Sequence, residues 1–246
     1  MTGGPMLDAT GVIKHFGGVT ALDGVDFQVR DREIVGLVGP NGSGKSTLIN
    51  VLSGRYRPSR GRIRFGQRDL AREPTHKIAR LGIARTYQIP QPFSSLTVRD
   101  NVAVSLMFGH SALSLGEARE AAHQYLESCG IEHLADALPD KANLHQRKFL
   151  ELARALAARP RLLMLDEVMA GLTPSEVGES VAMIRKVHAS GVTLVVVEHV
   201  MRIVTELATR MVVLNRGRVL AEGSAEEVMS RDDVVKTYLG KARDAP

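Results

Sequence analysis

The stretch from Ile34 to Gly54, IVGLVGPNGSGKSTLINVLSG, decides the fold of this 246-residue chain. It opens with an apolar run, Ile34 to Val38, that predicts a short buried strand. The run enters GPNGSGKS, which fits the pattern GxxxxGK[ST], and the residues through Leu52 predict a helix behind it. Because strand, loop and helix follow in the order that a phosphate loop requires, we interpret the stretch as a phosphate-binding site rather than a plain glycine turn.

Each residue type in this loop has a chemical reason for its place. Glycines let the backbone N–H groups curl around phosphate oxygens, and the dipole of the following helix favours their negative charge. Lys45 is expected to reach the β- and γ-phosphates of a nucleotide, and the Ser46 hydroxyl is expected to hold Mg²⁺. The expected nucleotide-contacting set is Gly39, Pro40, Asn41, Gly42, Ser43, Gly44, Lys45, Ser46 and Thr47.

A second apolar strand ends in two carboxylates. In RLLMLDE, the residues Leu162 to Leu165 predict a buried strand whose end presents Asp166 and Glu167. Alone, an acidic pair after a strand is usually a turn or a helix cap. Beside a phosphate loop, Asp166 suits the Mg²⁺ shell and Glu167 suits a base that orients the attacking water.

The order of elements along the chain predicts an α/β protein. The first third contains short strands and turns, residues 97–158 show a helical pattern, and strands then alternate with helices, including one from Pro174 to about Ala189. Continuous apolar strands that alternate with helices favour a mainly parallel sheet covered on both faces.

Composition limits the partners. The formal net charge is +5, and six arginines between Arg55 and Arg68 form the densest basic stretch. A solvated surface is its simplest interpretation, while a phosphate-rich partner or a lipid surface stays open.

Cys129 is the single cysteine, which excludes an intrachain disulfide and fits a reducing compartment. The start, MTGGPMLDATG, does not look like a signal peptide, and the apolar runs are too short to span a bilayer, so we expect any membrane role to be peripheral.

These residues together resemble the nucleotide-binding subunit of an ABC transporter, over nearly the whole chain. The resemblance implies the P-loop NTPase ABC ATPase fold, with a mainly parallel core sheet, an N-terminal antiparallel β subdomain and an inserted helical lobe. It also implies one ABC ATPase domain over residues 1–246. Within that domain the helical lobe would cover about residues 97–158, and a C-terminal helical extension would cover about residues 222–246.

Three further residues match positions of the family. Gln88, in ARTYQIPQPF, matches the glutamine that contacts Mg²⁺ or the attacking water and borders the groove that grips the permease. His199, in VVVEHVM, matches the histidine that contacts the γ-phosphate. Phe16, in VIKHFGG, matches the aromatic residue that stacks on adenine. The resemblance therefore implies ATP and Mg²⁺ as ligands and ATP hydrolysis as the reaction.

The segment ANLHQ, Ala142 to Gln146, stands where the family has its signature LSGGQ. In the family this segment closes over ATP held by the opposing subunit, which implies that Asn143, His145 and Gln146 face a partner's nucleotide. We expect an exposed polar helix end that another subunit completes. Leu144 and His145 replace both glycines that permit close backbone approach, so we keep as a hypothesis that the His145 ring donates to the γ-phosphate instead.

Within the family, the chain resembles the ATPases of branched-chain amino-acid importers. The resemblance lies in the stretches FGGVTALDGV, IARTYQ, VVVEHVM and VVKTYLG. It implies a second ATPase subunit, more often a different chain than a copy, transmembrane permease subunits and, indirectly, an external solute-binding protein. It places the chain at the cytoplasmic face of the membrane and implies no nucleic acid. Two alternatives stay open: a soluble ABC ATPase acting on the ribosome or DNA, and a regulatory subunit that binds nucleotide without hydrolysis.

Overall fold

The computed structural model describes residues 4–109 and 112–239. The chain divides into two compact units. The first unit combines the residues up to 78 with those from 193 onward, and the second is the continuous segment 79–192. In the part of the chain that is described, no helix is long and apolar enough to cross a membrane.

The helices and strands follow one another in a β-rich, then helical, then alternating order. Up to residue 80 they are β1 (Leu7–Phe16), β2 (Val19–Val29), β3 (Ile34–Val38), α1 (Lys45–Leu52), β4 (Arg60–Phe65), β5 (Arg68–Asp69) and α2 (Thr75–Arg80). From residue 83 to 189 they are β6 (Ile83–Arg85), α3 (Val98–Phe108), α4 (Leu115–Ser128), α5 (Leu144–Ala157), β7 (Leu162–Asp166) and α6 (Pro174–Ala189). The remainder are β8 (Thr193–Val197), α7 (Met201–Leu207), β9 (Arg210–Asn215), β10 (Arg218–Gly223), α8 (Ala225–Met229) and α9 (Asp232–Leu239).

The first unit contains an antiparallel sheet, in the order β2, β1, β4 and β5, and a group of parallel strands built on β3. Strand β3 is buried along its whole length and pairs in parallel with β8 on one side and β9 on the other. An added Cβ on Gly36, in the middle of β3, would lie 2.2 Å from Cγ1 of Val204 in α7. Because only glycine leaves room there, helix α7 can pack directly onto the strand that leads to the phosphate loop.

The last strands and helices of the first unit share one apolar core. Strand β10 pairs antiparallel with β9, which makes this group of strands mixed rather than purely parallel. The core contains Val38, Val204, Met211, Val213, Ala221, Val228 and Val234. Val228 of α8 and Val234 of α9 are each 1% exposed, so both short helices are held by apolar burial.

The second unit packs helices α3, α4 and α5 against one another and pairs β6 with β7 in parallel. Its helices begin at well-formed caps: the Thr97 hydroxyl accepts from the backbone of Asp100, and Asn143 and Gln146 form a reciprocal capping box. Asn101 of α3 is fully buried, and its amide bonds the N–H and C=O of Phe93 together with two carbonyls of the turn before the helix. This buried amide connects the loop that follows Gln88 to helix α3, because its own donor and acceptor groups are satisfied by the backbone of that loop.

Most predicted elements are observed, but the short elements α2, β5 and β6 were missed. The predicted strand Ile34 to Val38 and the predicted helix Pro174 to Ala189 are confirmed as β3 and α6. Helix α2 was missed because it is short and buries only Ile78, and β6 was missed because three residues carry no periodicity. The arginines of the basic stretch on β4 are exposed or half-buried.

Glu33 and Arg210 form an ion pair beneath β3 that predicts how stability depends on pH. Arg210 Nε lies 2.7 Å from Glu33 Oε1, and the backbone N–H of Arg30 donates to Oε2 at 2.9 Å. Burial acts to raise the pKa of Glu33, but the hydrogen bonds from Arg210 and Arg30 and the charge of Arg210 outweigh it, and the pKa falls below its ordinary value. Stability from this pair is therefore present above the pKa of the unfolded chain and is lost as the pH falls through the lower folded pKa.

We expect Glu33→Gln to lower the free energy of unfolding at pH 7 by about 1.5–3 kcal/mol, since the charged Arg210 guanidinium loses the negative charge of its buried partner. Urea unfolding at pH 7 and near pH 3 should show that the variant loses less stability on acidification than the parent. Glu120→Gln, on an exposed carboxylate of α4, is the matched control. Equal pH dependence in the parent and in Glu33→Gln would contradict this assignment.

Candidate functional site

The loop between β3 and α1 has the backbone of a phosphate-binding cradle. Gly42 and Gly44 have φ angles of 77° and 108°, in the region that favours glycine. An added Cβ on Gly39 would lie 2.2 Å from the carbonyl oxygen of Leu214 in β9. The two glycines that the sequence pattern requires, Gly39 and Gly44, are therefore required by the packing as well, since an added Cβ on Gly44 would lie 2.8 Å from the carbonyl oxygen of Ala21. Helix α1 begins directly behind the loop.

Side chains of this loop fit an anionic ligand. Lys45 is 5% exposed, and its Nζ donates to the carbonyls of Gly39 at 2.7 Å and Pro40 at 3.1 Å. Ser43 Oγ is buried and has no hydrogen-bond partner in the described residues. The exposed Ser46 stands in the first turn of α1. A phosphate can accept a hydrogen bond from the buried Ser43 hydroxyl. It also attracts the Lys45 ammonium and the N–H groups at a helix N-terminus.

Phe16 lies at the end of β1 and is 40% exposed. The ring packs edge-to-face with Tyr56, with centroids 5.1 Å apart, and the Nζ of Lys14 lies 4.8 Å from its centroid. An exposed aromatic ring held by such neighbours provides a surface on which a planar base can stack.

The end of β7 carries the two predicted carboxylates. Asp166 is 4% exposed, its backbone N–H donates to Thr86 Oγ1 at 3.3 Å, and the Arg85 guanidinium lies 3.8 Å from its carboxylate. Glu167 follows with φ at 49°, a left-handed conformation that is uncommon for this residue type. Gln88 Nε2 donates to Glu167 Oε2 at 2.5 Å, so the structure brings together two residues that the sequence singled out separately.

His199 follows β8 and is exposed. Its Nδ1 lies 4.0 Å from Oε2 of the buried Glu198, which precedes it in the chain. An exposed imidazole directly after a buried strand can turn toward a ligand without loss of packing.

The start of α5 differs from the sequence prediction at one residue. Asn143 and Leu144 are exposed and Gln146 is half-buried. The prediction of an exposed polar end is wrong for His145, which is 8% exposed. Its ring packs against Phe149, with centroids 4.2 Å apart, and its Nδ1 lies 3.9 Å from Glu176 Oε1 in α6. The imidazole thus turns inward, against the Phe149 ring and toward the Glu176 carboxylate, and its Nε2 is buried without a hydrogen-bond partner among the described residues.

Sequence reasoning missed three residues close to the predicted ones. Arg85 and Thr86 contact Asp166, and Lys148 donates from Nζ to the carbonyl of Ala170, just beyond Glu167. The short strand β6 would have indicated the first two, because its end adjoins the end of β7 in a parallel pair. Lys148 gave no sequence signal, since a lysine in a polar helix start is usually solvated.

The chemistry of these groups suits a nucleotide and a hard cation. Among the described residues, no group of three or more His, Cys, Asp or Glu side chains could hold a metal ion by itself. Mg²⁺ is usually held by one or two carboxylates together with waters and substrate phosphates, so the Asp166 carboxylate and the Ser46 hydroxyl are suitable ligand types.

Comparison with known proteins places the chain in a family. The sequence model of the family described as ABC transporter matches residues 22–170. The high-affinity branched-chain amino acid transport ATP-binding protein BraF of Pseudomonas aeruginosa is 36% identical over 97% of this chain and 99% of its own length. LivG of Escherichia coli, which carries the same description, is also 36% identical, with the same two coverages.

Solved structures agree with the fold. A nucleotide-free ATP-binding cassette from an ABC transporter is similar with a TM-score of 0.85 and 30% identity, over 95% of this chain and 98% of that one. The ADP conformation of an ATP-binding cassette is similar with a TM-score of 0.86 and 31% identity, over 96% and 99%. The predicted P-loop ABC ATPase fold is thereby confirmed. With its phosphate loop, its acidic strand end and relatives that match 97% of its length, this chain belongs to the ABC transporter family.

Proposed function

We propose that this chain is the ATP-hydrolysing subunit of an importer for branched-chain amino acids or related small polar solutes. The observation that carries the proposal is the similarity to proteins described as branched-chain amino acid transport ATP-binding proteins, which extends over 97% of the chain. The phosphate loop and the carboxylates of β7 supply the groups that ATP hydrolysis requires. In this proposal the chain acts as one ATPase domain, with a helical lobe at about residues 97–158 and a C-terminal extension from about residue 222.

Each site residue has a role in the proposed reaction. Lys45 and the loop N–H groups bind the phosphates, Phe16 stacks on adenine, and His199 contacts the γ-phosphate. Ser46, Gln88 and Asp166 are the residues that would hold Mg²⁺, which supplies charge neutralisation on the phosphate oxygens when bound.

Glu167 is the residue that orients and polarises the attacking water. The Gln88 amide fixes one oxygen of that carboxylate, which leaves the other for the water. Most of the rate enhancement then comes from positioning and from charge stabilisation around the γ-phosphate.

The proposal includes partners at the membrane. Ile89 is 73% exposed and Phe93 is 45% exposed, in the loop that follows Gln88. Asn101 bonds both backbone groups of Phe93, so this apolar loop is held in one shape that a short cytoplasmic helix of a permease can contact. We place the chain at the cytoplasmic face of the membrane, paired with a second ATPase subunit and served by an external solute-binding protein.

Two substitutions separate nucleotide binding from hydrolysis. We expect Lys45→Ala to weaken ATP binding at least tenfold, because a charge on the phosphates is lost, and Glu167→Gln to bind ATP normally while turnover falls by about 10²-fold or more. Equilibrium binding of a fluorescent ATP analogue and phosphate release by the purified transporter measure the two effects. A Glu167→Gln protein with the parental rate would remove Glu167 from the mechanism.

The apolar loop predicts a coupling defect. We expect Phe93→Ser to leave ATP binding unchanged while solute transport by the reconstituted transporter falls at least tenfold, because an apolar contact with the permease is lost. Phe108→Ser, at a 73% exposed position of α3, is the matched control. An equal transport defect in both variants, or a Phe93→Ser protein that fails to fold, would count against this surface.

The substituted signature predicts two unequal ATP sites in a heterodimer. The exposed Asn143 and Leu144 would face the partner's nucleotide, whereas ATP on Lys45 would face the partner's signature. We therefore expect the site that contains Lys45 to turn over faster. Replacing the catalytic glutamate of each subunit in turn, in the reconstituted transporter, measures the two rates, and equal losses of ATPase activity would reject the asymmetry.

A further inference from the structure

The backbone after β7 forms a tight turn that carries Glu167 in a strained conformation. Glu167 has φ at 49°, which for a residue other than glycine costs on the order of 1 kcal/mol and persists only where the surroundings enforce it. The turn is closed by two hydrogen bonds, from the N–H of Ala170 to the carbonyl of Glu167 at 3.2 Å and from Leu172 to Met169 at 3.3 Å. Met169 is 4% exposed and anchors the middle of the turn.

Side chains near the N-terminus of helix α5 contact the turn that follows Glu167. Lys148 is 6% exposed, and its Nζ donates to the carbonyl of Ala170. Leu144 lies over Gly171, where an added Cβ would be 3.4 Å from its Cδ2. His145 faces Glu176, the residue whose carboxylate caps the start of α6 through the N–H of Thr173. Three contacts thus connect the start of α5 to residues 170–176.

The contact made by Lys148 is the one that reaches Glu167. A buried ammonium is costly unless its protons are bonded, so the Lys148 side chain is strongly held where a carbonyl meets it. The carbonyl and the N–H of Ala170 belong to one residue, and they bond Lys148 and Glu167 respectively. A displacement of Ala170 therefore moves the peptide group that holds Glu167 in its left-handed conformation.

The capping groups of α6 support the same arrangement. Backbone and side-chain hydrogen bonds from Thr173 hold the pKa of Glu176 below its ordinary value, so this carboxylate stays ionised beside His145. Glu179 of the same helix also faces the imidazole, at 4.0 Å. The region beyond the turn thus lies against α5 through the contacts of His145 with Glu176 and Glu179.

We propose that Lys148 is a positioning residue for Glu167: it acts through Ala170, with Leu144 and His145 holding the following residues. The proposal rests on the role of Glu167 in hydrolysis given above. It assigns a function to two side chains that occupy positions where the family has glycine. In this chain Leu144 and His145 support the turn after Glu167, in addition to any contact that the start of α5 makes with a partner.

The test is Lys148→Met in the reconstituted transporter, which keeps the length of the side chain and removes its charge. We expect kcat for ATP to fall about tenfold or more, because small misplacements of catalytic groups cost this much, while KM and ATP-analogue binding stay within about twofold. Lys141→Met, on an exposed lysine ahead of α5, is the matched control and should change neither. Lys148→Arg, which can still donate to the carbonyl, should recover part of the loss.

A double-mutant cycle separates positioning from a general structural effect. In a Glu167→Gln background, measured by single-turnover hydrolysis, Lys148→Met should change the residual rate by less than about twofold, since the group that it positions is gone. A full additional loss there, or an unchanged kcat in Lys148→Met, would overturn the proposal.

Two further outcomes are decisive. If Lys148→Met does not fold, His145→Gln and Leu144→Gly must each lower kcat at constant KM, and parental kcat in either variant would overturn the proposal. Normal turnover by Glu167→Gln alone would instead reject the hydrolytic role of Glu167. That failure is distinguishable from a failure of Lys148 to position Glu167.

Discussion

The close approach of backbone at Gly39 is the constraint on which the rest of the first unit depends. The carbonyl of Leu214 occupies the space that a Cβ would need, so the phosphate loop can lie directly on the end of β9. The following turn holds it there, because Gly217 donates its N–H to the carbonyl of Ser43 at 2.8 Å and accepts from Asp23 at 2.8 Å. With its backbone fixed by neighbours, the loop can keep its remaining N–H groups and the Ser43 hydroxyl for a ligand.

In the second unit, buried polar side chains of the helices hold neighbouring loops and turns in place through hydrogen bonds to their backbone. Asn101 satisfies four backbone groups around the loop after Gln88, and Lys148 satisfies the turn after Glu167. Each is a buried polar side chain whose own donors are satisfied by backbone carbonyls of the segment that it contacts. Cys129 shows the opposite use of burial: desolvation raises the pKa of its thiol to about 12 against the charge of Lys186, so the group packs as a neutral apolar side chain.

The residues at the start of α5 have two competing roles: the proposed contact with a partner's nucleotide and the contacts that they make within their own chain. A signature with two glycines offers bare backbone to a nucleotide, whereas this chain has Leu144 and His145 there. The helix start is still closed by its capping box, so Asn143 and Gln146 keep the geometry of an N-terminus. The two larger side chains are used within the chain itself, against Gly171 and Glu176.

The sequence by itself determined the strand–loop–helix around Lys45, the acidic end of β7 and most helix boundaries, because these depend on local pattern: apolar period, glycine spacing and capping residues. It could not determine that Gln88 bonds Glu167, that Arg85 and Thr86 contact Asp166, or that His145 turns inward. Each of these facts joins residues from separate elements, and side chains of the same type are solvated in other proteins. Tertiary packing decided them, since the direction of a side chain follows from which neighbours bury it and which polar groups those neighbours leave unsatisfied.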